Sequence, residues 1–205
     1  IYLPYLFIQE SETACLVIQK LMEPVQPPEN LPTVLEHIKG QLGITLSERQ
    51  HEGVLMAFRH NLSIITGGPG TGKSTILKAV IQAYRLLYPE GRIRLGAPTG
   101  KASRRMAETT GVADAQTLHS LLGLHGDESV WQKKQKYLDA DLLIVDESSM
   151  IDMSLAYQLF SRVRPRTKIL LVGAADPLVG VGAGDVVLQL IMSGLVPVTV
   201  LDGIF

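Results

Sequence analysis

The chain has 205 residues, 46% of them hydrophobic and 19% charged, with 19 basic against 20 acidic side chains and a formal net charge of -1. That length suits one substantial domain with a small appendage, and the apolar content excludes a disordered chain. The even charge balance excludes a globally basic nucleic-acid binder, so any DNA surface has to be a local patch.

In chain order, the apolar opening Ile1 to Ile8 lacks a basic leader and is interrupted by Pro4, so it does not read as an export signal. No stretch reaches the roughly 20 apolar residues of a membrane span. Pro4 to about Met22 reads as a helix, and its Cys15 as a small core residue on that helix. As the one cysteine of the chain, Cys15 leaves no internal disulfide and fits a reducing, cytoplasmic setting. Residues 23–30 are proline-rich and read as a linker, and a short helix from Pro32 follows, with Gly40 as its stop. Residues 1–40 are thus a helical N-terminal segment with a linker, and 41–205 the main domain.

Inside the main domain the signals alternate. Ser47 and Gln50 stand three apart in capping-box form at the start of a helix. Leu62 to Thr66 reads as strand, Lys73 to about Leu87 as helix, Arg92 to Ala97 as strand and Gly100 to Thr110 as helix. Residues 123–137 are polar and read as an exposed insertion. Leu142 to Val145 is strand, Met153 to Val163 helix, and Lys168 to Val172 and Val196 to Leu201 are two further strands. Short apolar strands alternating with amphipathic helices predict an α/β fold, a parallel sheet covered by helices on both faces. The missing initial methionine and the stop just after a strand read as a piece of a longer protein.

Two segments carry chemistry. The run Gly67, Gly68, Pro69, Gly70, Thr71, Gly72, Lys73, Ser74 has the spacing of a phosphate-binding loop and lies between a strand and a helix. Its glycines let backbone N–H groups converge on phosphates, and the following helix points its positive end at the anion. Lys73 reaches the terminal phosphates and the Ser74 hydroxyl suits magnesium, so the implied ligands are ATP and Mg2+. The strand 142–145 ends in Asp146 and Glu147, which a parallel sheet brings out near that loop. Asp146 is placed to hold magnesium through its water shell, and Glu147 to act as general base on the attacking water. Lys73, Asp146 and Glu147 are therefore the candidate catalytic residues.

The order of motifs resembles the first, RecA-like motor domain of superfamily 1 DNA helicases. The match is best with the RecD-like group, the exonuclease V alpha subunit and its stand-alone relatives. Gly67 to Thr75 resembles the family's phosphate loop, and Gln50 the glutamine that reads the adenine edge. Residues 97–102, Ala-Pro-Thr-Gly-Lys-Ala, resemble the motif that touches single-stranded DNA, and 117–122 the motif after it. Residues 146–152 resemble the acidic motif in its RecD-type form. The resemblance implies a P-loop NTPase fold, 5′ to 3′ helicase activity stimulated by single-stranded DNA, and a role in recombination or repair. It implies DNA contacts by Thr99, Lys101 and His119. It also implies either helicase–nuclease partner subunits or a stand-alone monomer. By residue type alone, Thr99 reads as a helix cap, Lys101 with Arg104 and Arg105 as a solvated face, and His119 as a packing residue. Trp131 with Lys133, Lys134 and Lys136 reads as an exposed charged loop.

The sequence also departs from this family. Ala174 stands where an aspartate is expected and Pro177 where a glutamine senses the γ-phosphate, and neither side chain hydrogen-bonds. The run 182–186 resembles the family again. The chain stops at the edge of the motif that brings the first arginine of a second motor domain, so it is expected to bind ATP but to hydrolyse it slowly. A different reading is a nucleotide-gated module that binds DNA or a partner with vestigial hydrolysis. A small-molecule kinase would need an arginine-rich lid, and a GTPase an Asn-Lys-x-Asp string; neither is found in the sequence.

Overall fold

The computed structural model describes residues 4–124, 137–174 and 185–202. Its centre is a six-stranded sheet in the order β3-β2-β4-β5-β1-β6. The strands are β1 (Leu62–Gly67), β2 (Ile93–Ala97), β3 (Ala115–Thr117), β4 (Leu142–Val145), β5 (Lys168–Gly173) and β6 (Val198–Leu201). Every pairing is parallel, as the alternation of strand and helix signals predicts.

The period of two along each strand divides the core in two. From β4, Leu142 and Ile144 face one side while Leu143 and Val145 face the other, and β5 splits Leu170 and Val172 from Ile169 and Leu171 in the same way. The first side is covered by α2 (Leu31–Leu42), α3 (Glu48–Arg59) and α4 (Lys73–Leu87), with Met106 from α5 (Gly100–Thr110). The second is covered by α1 (Pro4–Met22), the short α6 (Leu118–Leu121), α7 (Met153–Arg162) and α8 (Val186–Met192). Because β1 lies between β5 and β6, the loop that follows it opens inside the sheet rather than at an edge.

The N-terminal helices differ from their sequence reading in detail. Helix α2 runs through Gly40 and is stopped by Gly43, whose φ of 62° is the left-handed turn that glycine takes without a Cβ penalty. Helix α1 does not bury Cys15, which is exposed. Its buried stripe is Gln9, Thr13, Val17 and Lys20, at helical spacing, and Cys15 lies round the helix from that stripe. Tyr5, Phe7, Ile8 and Ile18 are instead exposed. Lys20 is buried because its partners are backbone carbonyls: its Nζ donates to those of Arg164, Pro165 and Thr167 at 2.8, 3.1 and 2.6 Å. Asn61 Nδ2 donates to the Glu23 carbonyl at 3.0 Å, and Arg166 pairs with Glu23, so the end of α1 is tied to the turn before β5.

Burial, reinforced by the nearby charge of Lys168, lowers the Lys20 pKa from 10.5 to about 7. A lysine whose folded pKa lies below its unfolded value costs stability while both states are protonated, and that cost is relieved as pH rises from about 7 towards 10.5. The melting temperature of the wild-type chain relative to Lys20→Met should therefore rise between about pH 6 and about pH 9, by about 2–4 °C for each kcal/mol relieved. Thermal unfolding followed by circular dichroism at several pH values checks this; a pH-independent difference would contradict it.

Candidate functional site

The turn from β1 into α4 is built around Thr71. Its hydroxyl donates to the Gly68 carbonyl at 2.9 Å, and its own carbonyl accepts Gln50 Nε2 at 3.0 Å. Gly67 admits this arrangement because it has no side chain: a Cβ there would lie 2.8 Å from Thr71 Oγ1 and 2.9 Å from Leu201 Cβ. Gly72, at φ 86°, is the left-handed residue from which α4 starts, and a Cβ on it would meet Gln50 Nε2. No side chain caps α4, so its first N–H groups are left for an external acceptor. Gly68, Pro69, Gly70 and Ser74 are exposed at the mouth of this turn, while Thr71 is buried and Thr75 half-buried.

Lys73 lies over the loop, its Nζ donating to the Gly67 and Gly68 carbonyls at 2.6 Å each. Partial burial pulls its pKa down, the charge of Asp146 acts in the opposite direction, and Arg105 adds to the lowering. An ammonium held only by its own loop's carbonyls can exchange them for phosphate oxygens, which are stronger, charged acceptors.

Asp146 leaves the end of β4, two strands from β1. Its backbone N–H still donates to Gly96 in β2, and its Oδ1 accepts the Glu147 N–H at 2.8 Å. Glu147 then takes φ 50° and ψ 37°, the one positive φ outside glycine among the described residues. A left-handed glutamate costs about 1–2 kcal/mol. It turns the chain sharply off the strand line into a 3₁₀ turn, Ser148–Met150. Such local strain concentrates at functional positions.

The proposed DNA residues fall into two places. Thr99 caps α5, its hydroxyl accepting the Ala102 N–H at 3.2 Å, and it lines a cleft with Pro98, His119, Met150, Asp152 and Gln158. His119 is exposed in that cleft, which corrects the packing reading. Lys101 lies in a neighbouring open groove with Arg104, Arg105 and Glu108. Ala174 is exposed just past β5. Pro177 and the charged loop around Trp131 lie outside the described residues. Sequence reasoning gave Arg105 no part at the phosphate loop and missed the Gln50–Thr71 bond. The capping box is a local signal; the bond joins residues 21 apart and has none.

The loop offers a polyphosphate the uncapped N-terminus of α4, an ammonium over its mouth and, at Gly68, backbone open to approach, which fits such a group. Ser74 and Asp146 are hard oxygen donors of the kind magnesium takes alongside phosphate oxygens and water.

Comparison with known proteins agrees. Residues 50–183 match the family model described as AAA domain. The ATP-dependent RecD2 DNA helicase of Deinococcus radiodurans is 40% identical over 184 residues, covering 90% of this chain and 25% of that protein. The RecBCD enzyme subunit RecD of Mycolicibacterium smegmatis is 36% identical over 167 residues, covering 70% of this chain and 30% of the relative. The chain thus spans about a quarter to a third of the length of these curated relatives. Among solved structures, the Pif1 helicase of Candida albicans overlays on 79% of this chain and 41% of its own, with a TM-score of 0.55 at 24% identity, a likeness of fold. The resemblance to RecD-like helicases drawn from the motif order is borne out.

The tight fit at Gly67 predicts that Gly67→Ala forces the loop or β6 to shift. An overpacked contact of this kind costs about 1–3 kcal/mol. Its melting temperature should fall accordingly, by about 2–4 °C per kcal/mol, whereas Gly68→Ala, where a Cβ meets nothing, should leave it nearly unchanged.

Proposed function

The chain belongs to the AAA domain family, and on that premise we propose that residues 41–205 are the first of two motor domains of a RecD-like DNA helicase acting in recombination or repair. One observation supports the reading: Lys73 lies over the phosphate loop that follows β1, and it feels the charge of Asp146, which leaves the end of β4 in the same parallel sheet. In this reading, the loop amides of residues 67–72 and the Lys73 ammonium hold the phosphates of ATP. Ser74 and Asp146 are the oxygen donors for Mg2+, which supplies charge neutralisation at the transferring phosphoryl group. Glu147 orients the attacking water and takes its proton. Thr99, Lys101 and His119, at the end of the sheet where β2 and β3 give way to α5 and α6, form the surface for single-stranded DNA. DNA occupancy raises ATP turnover, and movement is 5′ to 3′. The setting is the cytoplasm, in a stand-alone monomer or beside helicase–nuclease partner subunits.

A second reading is a nucleotide-gated binding module with vestigial hydrolysis. Ala174 supports it, because the residue leaving β5 carries no hydrogen-bonding side chain toward a terminal phosphate.

In the intact protein, Lys73→Ala should weaken ATP binding about 10–100-fold, the loss of a charge-assisted contact worth about 1.5–3 kcal/mol. Glu147→Gln should keep ATP affinity and lower turnover about 10²–10⁴-fold. Titration calorimetry and phosphate release with and without single-stranded DNA check both. Unchanged affinity in Lys73→Ala removes the ATP site, and wild-type turnover that DNA does not raise favours the binding module.

A further inference from the structure

Gln50 sits where the family resemblance places a reader of adenine, yet both ends of its amide are taken by protein. Oε1 accepts the Ser47 N–H at 2.9 Å, closing the capping box of α3, and Nε2 donates to the Thr71 carbonyl at 3.0 Å. The side chain is only 4% exposed. Thr71 is the centre of the phosphate loop, with its hydroxyl bound to the Gly68 carbonyl, and Gly72 leaves the space that Nε2 fills. The amide therefore runs from the rigid first turn of α3 to the back of the loop. The hollow beside this contact is lined by Gln50 itself together with Arg49, Thr71, Leu201 and Asp202.

We infer that Gln50 is a positioning residue for the phosphate loop: it fixes the Thr71 carbonyl, and through it the direction of the loop amides, whatever base the nucleotide carries. The inference rests on the reading of this loop as a triphosphate site. A buried hydrogen bond to backbone does this because Thr71 has no other partner for its carbonyl in the loop and the bond is screened from water, so its loss frees the loop turn without disturbing β1. The carbonyl fixes the plane of the peptide that ends on the Gly72 N–H, one of the groups that would face phosphate.

The near-isosteric, uncharged Gln50→Met separates the alternatives in the intact protein, with affinities measured for Mg-ATP, Mg-GTP and inorganic tripolyphosphate. The expected result is a loss of about 5–10-fold that is equal for all three. Faster amide hydrogen exchange across residues 68–72 should accompany it. Ser47→Ala, which weakens only the helix cap, should lower the melting temperature and leave all three affinities unchanged. A loss confined to ATP makes Gln50 a base reader and overturns the inference; so does a loss in Ser47→Ala equal to that in Gln50→Met. Should Gln50→Met not fold, the wild-type protein with bound nucleotide decides: Nε2 still within hydrogen-bond distance of the Thr71 carbonyl supports the inference, and an amide swung to the base overturns it. Wild-type protein that binds neither ATP nor tripolyphosphate defeats the triphosphate reading itself, a result distinct from any of these.

Discussion

Between Gly67 and Lys73 the chain must reverse its path inside the sheet, expose a row of N–H groups and keep a lysine over them. The hydrogen bonds of Thr71 reconcile these demands. Its hydroxyl closes the turn on Gly68 and its carbonyl anchors it to α3, so the loop is held from behind and left open in front. The flanking positions follow from that choice. Gly67 has to lack a side chain because Thr71 and Leu201 fill the space, and Gly72 has to turn left-handed so that α4 starts with its N-terminus toward the mouth.

The acidic side of the site solves a different problem. A strand that ends in two consecutive carboxylates would direct them to opposite faces, since side chains alternate along extended backbone. The left-handed conformation of Glu147 breaks that alternation at the residue after Asp146, and the Asp146 carboxylate caps the resulting N–H. Both carboxylates then belong to the end of the sheet that carries the phosphate loop, and the charge of Asp146 is felt at Lys73. The neighbouring cleft reaches the same turn through Met150 and Asp152 on one wall and Thr99 and His119 on the other. A ligand in that cleft would therefore touch the segment that carries Glu147.

Much of this was legible in the sequence because it is written locally. Helix α4 begins at Lys73, helix α5 spans Gly100–Thr110 and β4 spans Leu142–Val145, as the apolar periods and caps predict. Strand β3 escaped notice because three half-buried residues, Ala115 to Thr117, carry no apolar run; it is strand only because β2 offers a partner. Gly40 reads as the stop of α2 in the sequence, yet a helix tolerates one interior glycine, and Gly43 is the residue that leaves the α region. Helix α1 reversed the usual rule: carbonyls from the turn before β5 drew Lys20 inward, and Cys15 with several apolar side chains was left facing out. The tie from Gln50 to Thr71 depended on where two separate elements meet in space.

The backbone of Glu147 sets two demands on one position against each other. Glycine there would relieve the torsional cost and make the fold more tolerant of heat, while deleting the carboxylate that the site presents. Thermostability selection applied without a functional screen would be drawn to that substitution. Backbone strain at this position and a carboxylate on its side chain thus pull the choice of residue in opposite directions.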